Sequence, residues 1–373
     1  MIIRFMRPLV VGAILFSLLA CSESPPVFHE SERPLRLSDW NLFDLSEEQL
    51  TPSAASMVFH PANQLFTDYA HKMRTLWIPQ GLQAQLLDDE IHYPVGTVIS
   101  KTFYYPRNSE GQLLKTTDPG NEAITLQENL LVETRLLVHR ESGWDAFPYV
   151  WNQEQNEAFL RVAGTSQAVA LKTDNSESDD SDDLDFMYFV PNENQCSGCH
   201  TTDHPGGGMR PLGAIANQLS STISDGRGEI SNQTVAMMEK GWLSQQAADA
   251  ATISWRNESA SLEDRALAYL DIHCAHCHNP KGAADTSGLF LDGSSSDIVS
   301  MGICKPPVAA GGGAGNLQYS IVPSEPDQSI LVYRMESSEP DEMMPELGRS
   351  LIHSEGVQLI RQWISAMSGS CQN

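Results

Sequence analysis

Two short motifs in this sequence combine residue types that can attach a cofactor. Both read C-x-x-C-H, one over residues 196–200 and the other over residues 274–278. Two thiols at this spacing on a helical turn can each bond one vinyl group of a porphyrin, and the adjacent imidazole then lies beneath the iron. The pattern predicts two covalently attached haem c groups, each with its iron. The attaching thiols would be Cys196, Cys199, Cys274 and Cys277, and the proximal iron ligands would be His200 and His278.

The C-x-x-C part of each motif has other uses, which the surrounding sequence disfavours. Half of a zinc site would need another Cys pair at zinc spacing, and a thioredoxin-like redox pair would need a βαβ context. The sequence shows neither. Haem attachment is therefore the preferred interpretation.

The first twenty residues have the composition of an export signal. Arg4 and Arg7 precede an apolar stretch, Leu9–Leu19, that is too short to span a bilayer. The stretch leads to Cys21 and resembles a bacterial lipoprotein signal, which implies cleavage before Cys21 and lipidation of its thiol. Ser22 resembles the residue found after the Cys in lipoproteins sorted to the outer membrane. The expected location is the periplasmic side of the outer membrane or the cell surface of a Gram-negative bacterium. An ordinary secretory signal with an incidental Cys is the alternative.

The charge of the chain restricts its partners. It carries 23 basic and 48 acidic side chains, for a formal net charge of -25. Nucleic acid and anionic lipid surfaces are poor partners for such a chain. We expect a periplasmic or outer-membrane redox protein with a basic docking surface, and membrane contact through the lipid anchor alone, since no later apolar run reaches spanning length.

Two of the seven cysteines remain after the lipid and haem positions are assigned. These are Cys304 and Cys371. In an oxidising compartment we expect them to form a disulfide, with two unrelated free thiols as the alternative.

The order of sequence patterns predicts an α+β multidomain chain. Runs of β-branched and aromatic residues broken by turn residues predict a mostly antiparallel β domain that includes strands between residues 97 and 190, interrupted by an acidic loop at 174–185. Helical apolar spacing predicts helices at 63–76, from 262 towards Cys274, and at 355–367. The predicted divisions are a signal peptide (1–20), a tether (21–36), a β-rich domain (37–195), a first haem segment (196–260) and a second haem domain (261–373).

Several further segments, taken with the leader and the paired motifs, resemble a family of bacterial dihaem c-type cytochrome lipoproteins that has no assigned substrate. They are Leu37–Phe43, Phe66–Lys72, Pro94–Thr97, Glu133–Leu137 and Tyr149–Asn152. The resemblance runs over nearly the whole mature chain and implies two haems and electron transfer. Residues 261–370 resemble a class I cytochrome c, in which the helix before the motif crosses the last helix. The α-helical haem-binding region is therefore expected to be cytochrome c-like.

A weaker similarity concerns residues 37–200. Their order is similar to that of periplasmic haem proteins whose β-sheet domain ends in C-x-x-C-H, some of which cross-link a Lys to the porphyrin. Lys101 lies on a predicted strand and is the candidate for a covalent or distal role at the first haem. An ordinary strand lysine is the alternative.

The second haem needs a distal ligand from later in the chain. Met344 is directly followed by a Pro, and this pair resembles the ligand loop of many such cytochromes. Met343 is the other candidate, and filling a gap in the core is the alternative for either Met. The first haem has no obvious distal ligand. The candidates are Met209, His204, Met237 and Met238, and an empty distal position is the other option.

The leading functional hypothesis is a lipid-anchored periplasmic dihaem c-type cytochrome that transfers single electrons to or from a redox partner, with no catalytic residue assigned. The alternative is a haem enzyme, peroxidase-like or a small-molecule oxidoreductase, acting at a five-coordinate first haem. A structural role, with a β domain that binds a surface partner, is the third class.

Overall fold

The computed structural model describes residues 24–173, 183–225, 228–250, 252–293, 297–308 and 311–371. The expected signal peptide, Cys21 and most of the acidic tract lie outside these residues. The strands are β1 (Phe43–Leu45), β2 (Gln49–Pro52), β3 (Met57–Val58), β4 (His71–Trp77), β5 (Gln85–Leu87), β6 (Glu90–His92), β7 (Val98–Pro106), β8 (Leu113–Lys115), β9 (Ile124–Thr125), β10 (Asn129–Arg140), β11 (Gly143–Trp151), β12 (Ala158–Leu160), β13 (Thr165–Thr173), β14 (Leu184–Val190), β15 (Ile223–Asp225) and β16 (Gly228–Ile230).

The α-helices of the described residues all lie after residue 190. They are α1 (Glu193–His200), α2 (Ala216–Leu219), α3 (Thr234–Glu239), α4 (Leu262–Leu270), α5 (Ile330–Glu336) and α6 (Ser354–Ala366). A π-helical turn covers Asp271–Ala275, and 3₁₀ turns cover Leu37–Trp40, Asp285–Ser287, Gly311–Ala314 and Pro326–Gln328. The chain is therefore a mixed α+β protein with a β-rich N-terminal region, as the sequence predicts.

A six-stranded antiparallel sheet organises the N-terminal region. Its strand order is β12-β11-β10-β7-β4-β3, and the long central strands are β10, β7 and β4. Smaller sheets pack beside it, in the orders β1-β2-β9 and β14-β13-β8. Both faces of the central strands are covered, so β4 is buried along its whole length. This explains why the strands lack a simple alternation of apolar and polar residues.

Each face of this sheet packs on an apolar core of its own. One face contributes Met73, Val98, Leu136 and Tyr149 to an apolar core that also contains Trp40. The opposite face contributes Leu76, Ile99 and Leu137 to a second core, which residues 214–243 complete through Leu219, Met237 and Trp242. The expected first haem segment, 196–260, therefore shares a core with the sheet.

The helix expected at residues 63–76 is wrong. Residues 63–70 form an irregular segment with a turn at Asp68 and Tyr69, and the following residues form β4, which pairs in register with β7. Asp68 and Tyr69 adopt left-handed backbone conformations with φ of 46° and 59°, which an α-helix cannot contain. Pairing with a neighbouring strand overrides the local helical spacing.

Residues 24–36, expected to form part of a tether, pack against the β-rich region. The Val27 amide donates to the Trp40 carbonyl at 2.9 Å, and the Leu160 amide donates to the Leu35 carbonyl at 3.0 Å. Pro26 and Pro34 are buried. Residues 24–36 are therefore part of the packed structure and do not form a free tether.

The C-terminal region is built on contact between α4 and α6. Gly356 allows the close approach, because a Cβ added there would lie 2.1 Å from the Tyr269 hydroxyl oxygen. The Tyr269 hydroxyl also lies 2.9 Å from His353 Nδ1, just before α6. Apolar residues of both helices form one core with α5. The helix that leads into the second motif is therefore fixed against the last helix of the chain.

The β-rich and C-terminal regions are joined through aromatic and imidazole contacts. The Phe66 ring stacks on His353 with centroids 4.2 Å apart, and the Phe66 amide donates to His273 Nε2 at 3.0 Å. His273 Nδ1 lies 2.9 Å from the Tyr269 carbonyl. Both nitrogens of this buried imidazole are satisfied, so His273 is a structural residue. In the part of the chain that the structure describes, no helix is both long enough and apolar enough to cross a bilayer.

Candidate cofactor-attachment site

The first motif occupies α1, a short helix fixed at its start by a capping box. The Asn192 side chain accepts a hydrogen bond from the Gln195 amide at 2.9 Å, and the Gln195 side chain accepts one from the Asn192 amide at 2.9 Å. Cys196, Cys199 and His200 follow within the same helix, so one helical turn presents both thiols and the imidazole. The helix packs against β11 of the central sheet.

The second motif follows α4 without a break in helical hydrogen bonding. The Ser261 side chain caps this helix by accepting from the Asp264 amide at 3.1 Å. After the π-helical turn, the amides of Cys277 and His278 donate to the Cys274 carbonyl at 3.1 and 2.8 Å. The two thiols and the following imidazole therefore lie on one turn here as well.

The two motifs meet in the folded chain. Cys277 Sγ lies 3.6 Å from the Gly198 carbonyl oxygen. Ligand atoms of Cys199, His276 and Cys277 all lie within 4.8 Å of one another. The contact continues outward, where the His204 amide donates to the Lys281 carbonyl at 2.8 Å. The second thiols of the two motifs, those of Cys199 and Cys277, are therefore neighbours.

The imidazoles of both motifs are neutral and oriented. His200 Nδ1 lies 2.7 Å from the Arg210 carbonyl, which can only accept, so Nδ1 carries the proton and Nε2 keeps its lone pair. Burial lowers the pKa of His200 to about 4. Burial also lowers the pKa of His278 to about 4, and the Leu289 backbone hydrogen bonds to this ring. Neutral imidazole with a fixed tautomer is the form that binds a metal.

The four thiols of the motifs are free and half-buried. Burial raises the pKa of Cys274 to about 12. The hydrogen bond between Cys199 and Cys277, together with nearby His276, lowers the pKa of Cys199, and the same bond raises the pKa of Cys277. Free thiols beside neutral imidazoles fit the attachment of haem c. Cys199, His276 and Cys277 also form a Cys₂His donor set that suits zinc or copper.

The segment that carries Met344 lies beside both motifs. The Met344 amide donates to the Arg334 carbonyl at 2.9 Å, and Arg334 acts electrostatically on His278. Leu347 reaches the first motif, since a Cβ added at Gly198 would lie 3.6 Å from its Cδ1. Met344 is half-buried and Met343 is buried at 7% exposure. The segment is therefore positioned to approach the second haem site.

The four candidate distal ligands of the first haem are placed less favourably. The Met209–Arg210 backbone lies behind the His200 imidazole, on its Nδ1 side. Met237 is fully buried in the core shared with the sheet, and Met238 and His204 are exposed.

The sequence analysis singles out Lys101 but not the row of three cationic residues to which it belongs. Arg74, Lys101 and Arg135 are direct cross-strand partners on β4, β7 and β10. Desolvation and the two arginines hold the pKa of Lys101 well below its usual range. Charged residues inside apolar strands are the available signal, but their alignment depends on the strand register, which no local pattern shows.

Cys304 and Cys371 form a disulfide in the structure, with their Cα atoms 5.2 Å apart. Comparison with protein-family models, curated proteins and solved structures finds no match for this chain. Its function is accordingly inferred from its own residues.

Proposed function

We propose that the protein is a lipid-anchored dihaem c-type cytochrome of the bacterial periplasm or cell surface, which passes single electrons to or from a basic redox partner. The observation that carries this proposal is the meeting of the two C-x-x-C-H motifs. Groups bonded to Cys199 and Cys277 would be neighbours, because ligand atoms of these residues lie within 4.8 Å of each other. Two redox groups held by adjoining residues would be able to exchange electrons directly.

The chain's own residues supply the attachment and the electronic environment. Cys196, Cys199, Cys274 and Cys277 would hold the two haems, with His200 and His278 as proximal ligands. A bound haem supplies one-electron chemistry at its iron. Hydrogen bonding at the Nδ1 atom of His200 makes Nε2 a better donor and fixes the ring plane. A thioether ligand from Met344 would raise the reduction potential of the second haem relative to bis-His ligation.

The contact between α4 and α6 supports a cytochrome c-like arrangement of the second haem region. The helix before the motif and the last helix pack at Gly356, as expected for that arrangement. This interpretation, like the anchor at Cys21, is part of the proposal.

A haem enzyme at a five-coordinate first haem is the second candidate. It is favoured by the placement of the candidate distal ligands: Met238 and His204 are exposed, Met237 is buried in the core shared with the sheet, and the Met209–Arg210 backbone lies on the Nδ1 side of His200. Binding of carbon monoxide to one ferrous haem would favour this candidate, whereas two unreactive low-spin haems would favour electron transfer alone.

Haem counting in cysteine variants tests the proposal. The full chain is produced in a bacterium with a c-type maturation system, and haem is quantified per polypeptide from its absorbance after denaturation. Wild type should hold two haems, and the paired substitutions Cys196→Ala and Cys199→Ala should leave one. The matched control, Cys304→Ala with Cys371→Ala, should keep both. Wild type that binds zinc or copper at the Cys₂His set and carries no haem would refute the proposal.

A further inference from the structure

One buried guanidinium holds the segment that carries Met344. Arg349 is 7% exposed. Its Nη2 donates to the Met344 carbonyl at 2.9 Å, and its Nε donates to the same oxygen at 3.2 Å. The Met344 amide donates to the Arg334 carbonyl at 2.9 Å. Both polar groups of the Met344 backbone are therefore fixed, while its side chain is half-buried.

The same guanidinium binds the chain on both sides of this segment. It donates to the carbonyls of Arg334 at 3.3 Å, of Ser337 at 2.9 Å and of Leu351 at 3.2 Å. The first two carbonyls lie at the end of α5, and the third lies before α6. A guanidinium offers its donors in fixed directions within one plane, which an ammonium cannot reproduce. Arg349 therefore ties Met344 to the flanks of both helices.

The residues that follow Arg349 are anchored on the β-rich region. Asp68 Oδ1 accepts from the amides of Ser350 and Leu351, both at 2.7 Å. The Ser350 hydroxyl donates to the Met187 carbonyl of β14 at 2.6 Å. Asp68 is 2% exposed, so water competes poorly for its hydrogen bonds. Arg349 is thus held by its own neighbours, as a residue that orients a ligand must be.

We infer that Arg349 is the positioning residue for the Met344 thioether at the second haem. The inference rests on the proposed function, in which Met344 supplies the distal ligand. A thioether is a weak, uncharged donor, so its binding depends on how much chain entropy is lost when the sulfur is held at the iron. A backbone that is already fixed lowers this cost. Loss of the Arg349 hydrogen bonds should therefore let an added ligand displace the sulfur more easily.

The test compares two buried arginines in holoprotein variants. Arg349→Gln removes the charged donors that hold the Met344 carbonyl, and Arg349→Lys keeps one charged donor group. Arg140→Gln is the matched control, because Arg140 is also 7% exposed but lies on β10, where it pairs with Asp145 at 3.1 Å. For each protein we would measure the haem content, the sulfur–iron absorption band and the imidazole concentration that abolishes this band.

Arg349→Gln should keep two haems and show a weaker sulfur–iron band than wild type. About tenfold less imidazole should abolish the band, because a hydrogen bond from a charged group no longer restrains the ligand segment. Arg349→Lys should give an intermediate result. Arg140→Gln should match wild type in both measurements, even if it unfolds at a lower urea concentration.

The results that would overturn the inference differ from those that would refute the proposed function. A wild-type band and wild-type imidazole response in Arg349→Gln would overturn the positioning role. Equal changes in Arg349→Gln and Arg140→Gln would also overturn it, and failure of both Arg349 variants to fold with two haems would assign the residue to the fold alone. Wild type with two haems but no sulfur–iron band would overturn the inference and leave the dihaem proposal standing. Wild type without any haem would refute the proposed function itself.

Discussion

Replacing Gly356 by Ala tests the helix contact that positions the second motif. An added Cβ would lie 2.1 Å from the Tyr269 hydroxyl oxygen and 2.2 Å from its Cζ. Tyr269 is 4% exposed and its ring stacks on His273 at 4.0 Å. It also lies at hydrogen-bonding distance from His353. The ring therefore cannot yield without disturbing its neighbours, and the helices must move apart.

The expected cost follows from three contributions. Overpacking of a well-packed core costs about 1–3 kcal/mol. Loss of the hydrogen bond between Tyr269 and His353 adds about 1 kcal/mol. The better helix propensity of Ala offsets at most about 1 kcal/mol of this loss of stability. We therefore expect Gly356→Ala to lower the free energy of unfolding of this region by roughly 1–3 kcal/mol.

Urea unfolding followed by tryptophan fluorescence measures this cost. Gly312→Ala is the matched control, because a Cβ there meets no atom within 4 Å, and it should change the stability by less than about 0.5 kcal/mol. Combining Gly356→Ala with Tyr269→Ala should cost less than the sum of the single changes. Equal stability of Gly356→Ala and wild type, or strict additivity in the pair, would refute the close packing.

Three further predictions concern the buried charges and the second haem. Glu133→Gln should lower the free energy of unfolding by about 2–4 kcal/mol, because it leaves the half-buried Arg135 without its carboxylate; a loss below 1 kcal/mol would contradict this. Burial raises the pKa of Asp68 from 3.8 to about 6, so the native state binds this proton more tightly than the unfolded state. Wild type should therefore lose about 2 kcal/mol relative to Asp68→Asn as pH rises from about 4 to 6, and parallel stability curves would count against that burial. Met344→Leu should lower the potential of one haem and abolish its sulfur–iron absorption band, whereas Met343→Leu should preserve both; the reverse result would assign the ligand to Met343.

Much of the β-rich region could be predicted because its strands contain dense runs of β-branched and aromatic residues. β7 and β10 both lie within residues 97–190, for which strands are predicted. The helix predicted at 63–76 is wrong because the apolar spacing of this segment fits a helix, whereas the turn at Asp68 and Tyr69 and the pairing of β4 with β7 decide its structure. Local propensity is a weak prior when tertiary pairing competes with it.

At the site, too, features set by neighbouring residues could be predicted, whereas contacts between residues far apart in the chain could not. Each C-x-x-C-H motif could be read directly, because its chemistry depends on residues within one helical turn. The contact between Gly198 and Cys277 joins positions 79 residues apart, so it depends on the packing of whole regions. The cationic row likewise requires the register of three strands. Both features arise from tertiary structure, which the short motifs do not encode.

The mass of the intact, denatured protein tests the central claim most directly. The chain is purified from the periplasmic and membrane fractions of a strain with active haem maturation, treated with acid acetone and weighed by mass spectrometry. The account predicts a polypeptide heavier by two haems, with both masses retained on peptides that contain Cys196 with Cys199 and Cys274 with Cys277. A polypeptide that carries no porphyrin after this treatment would contradict it.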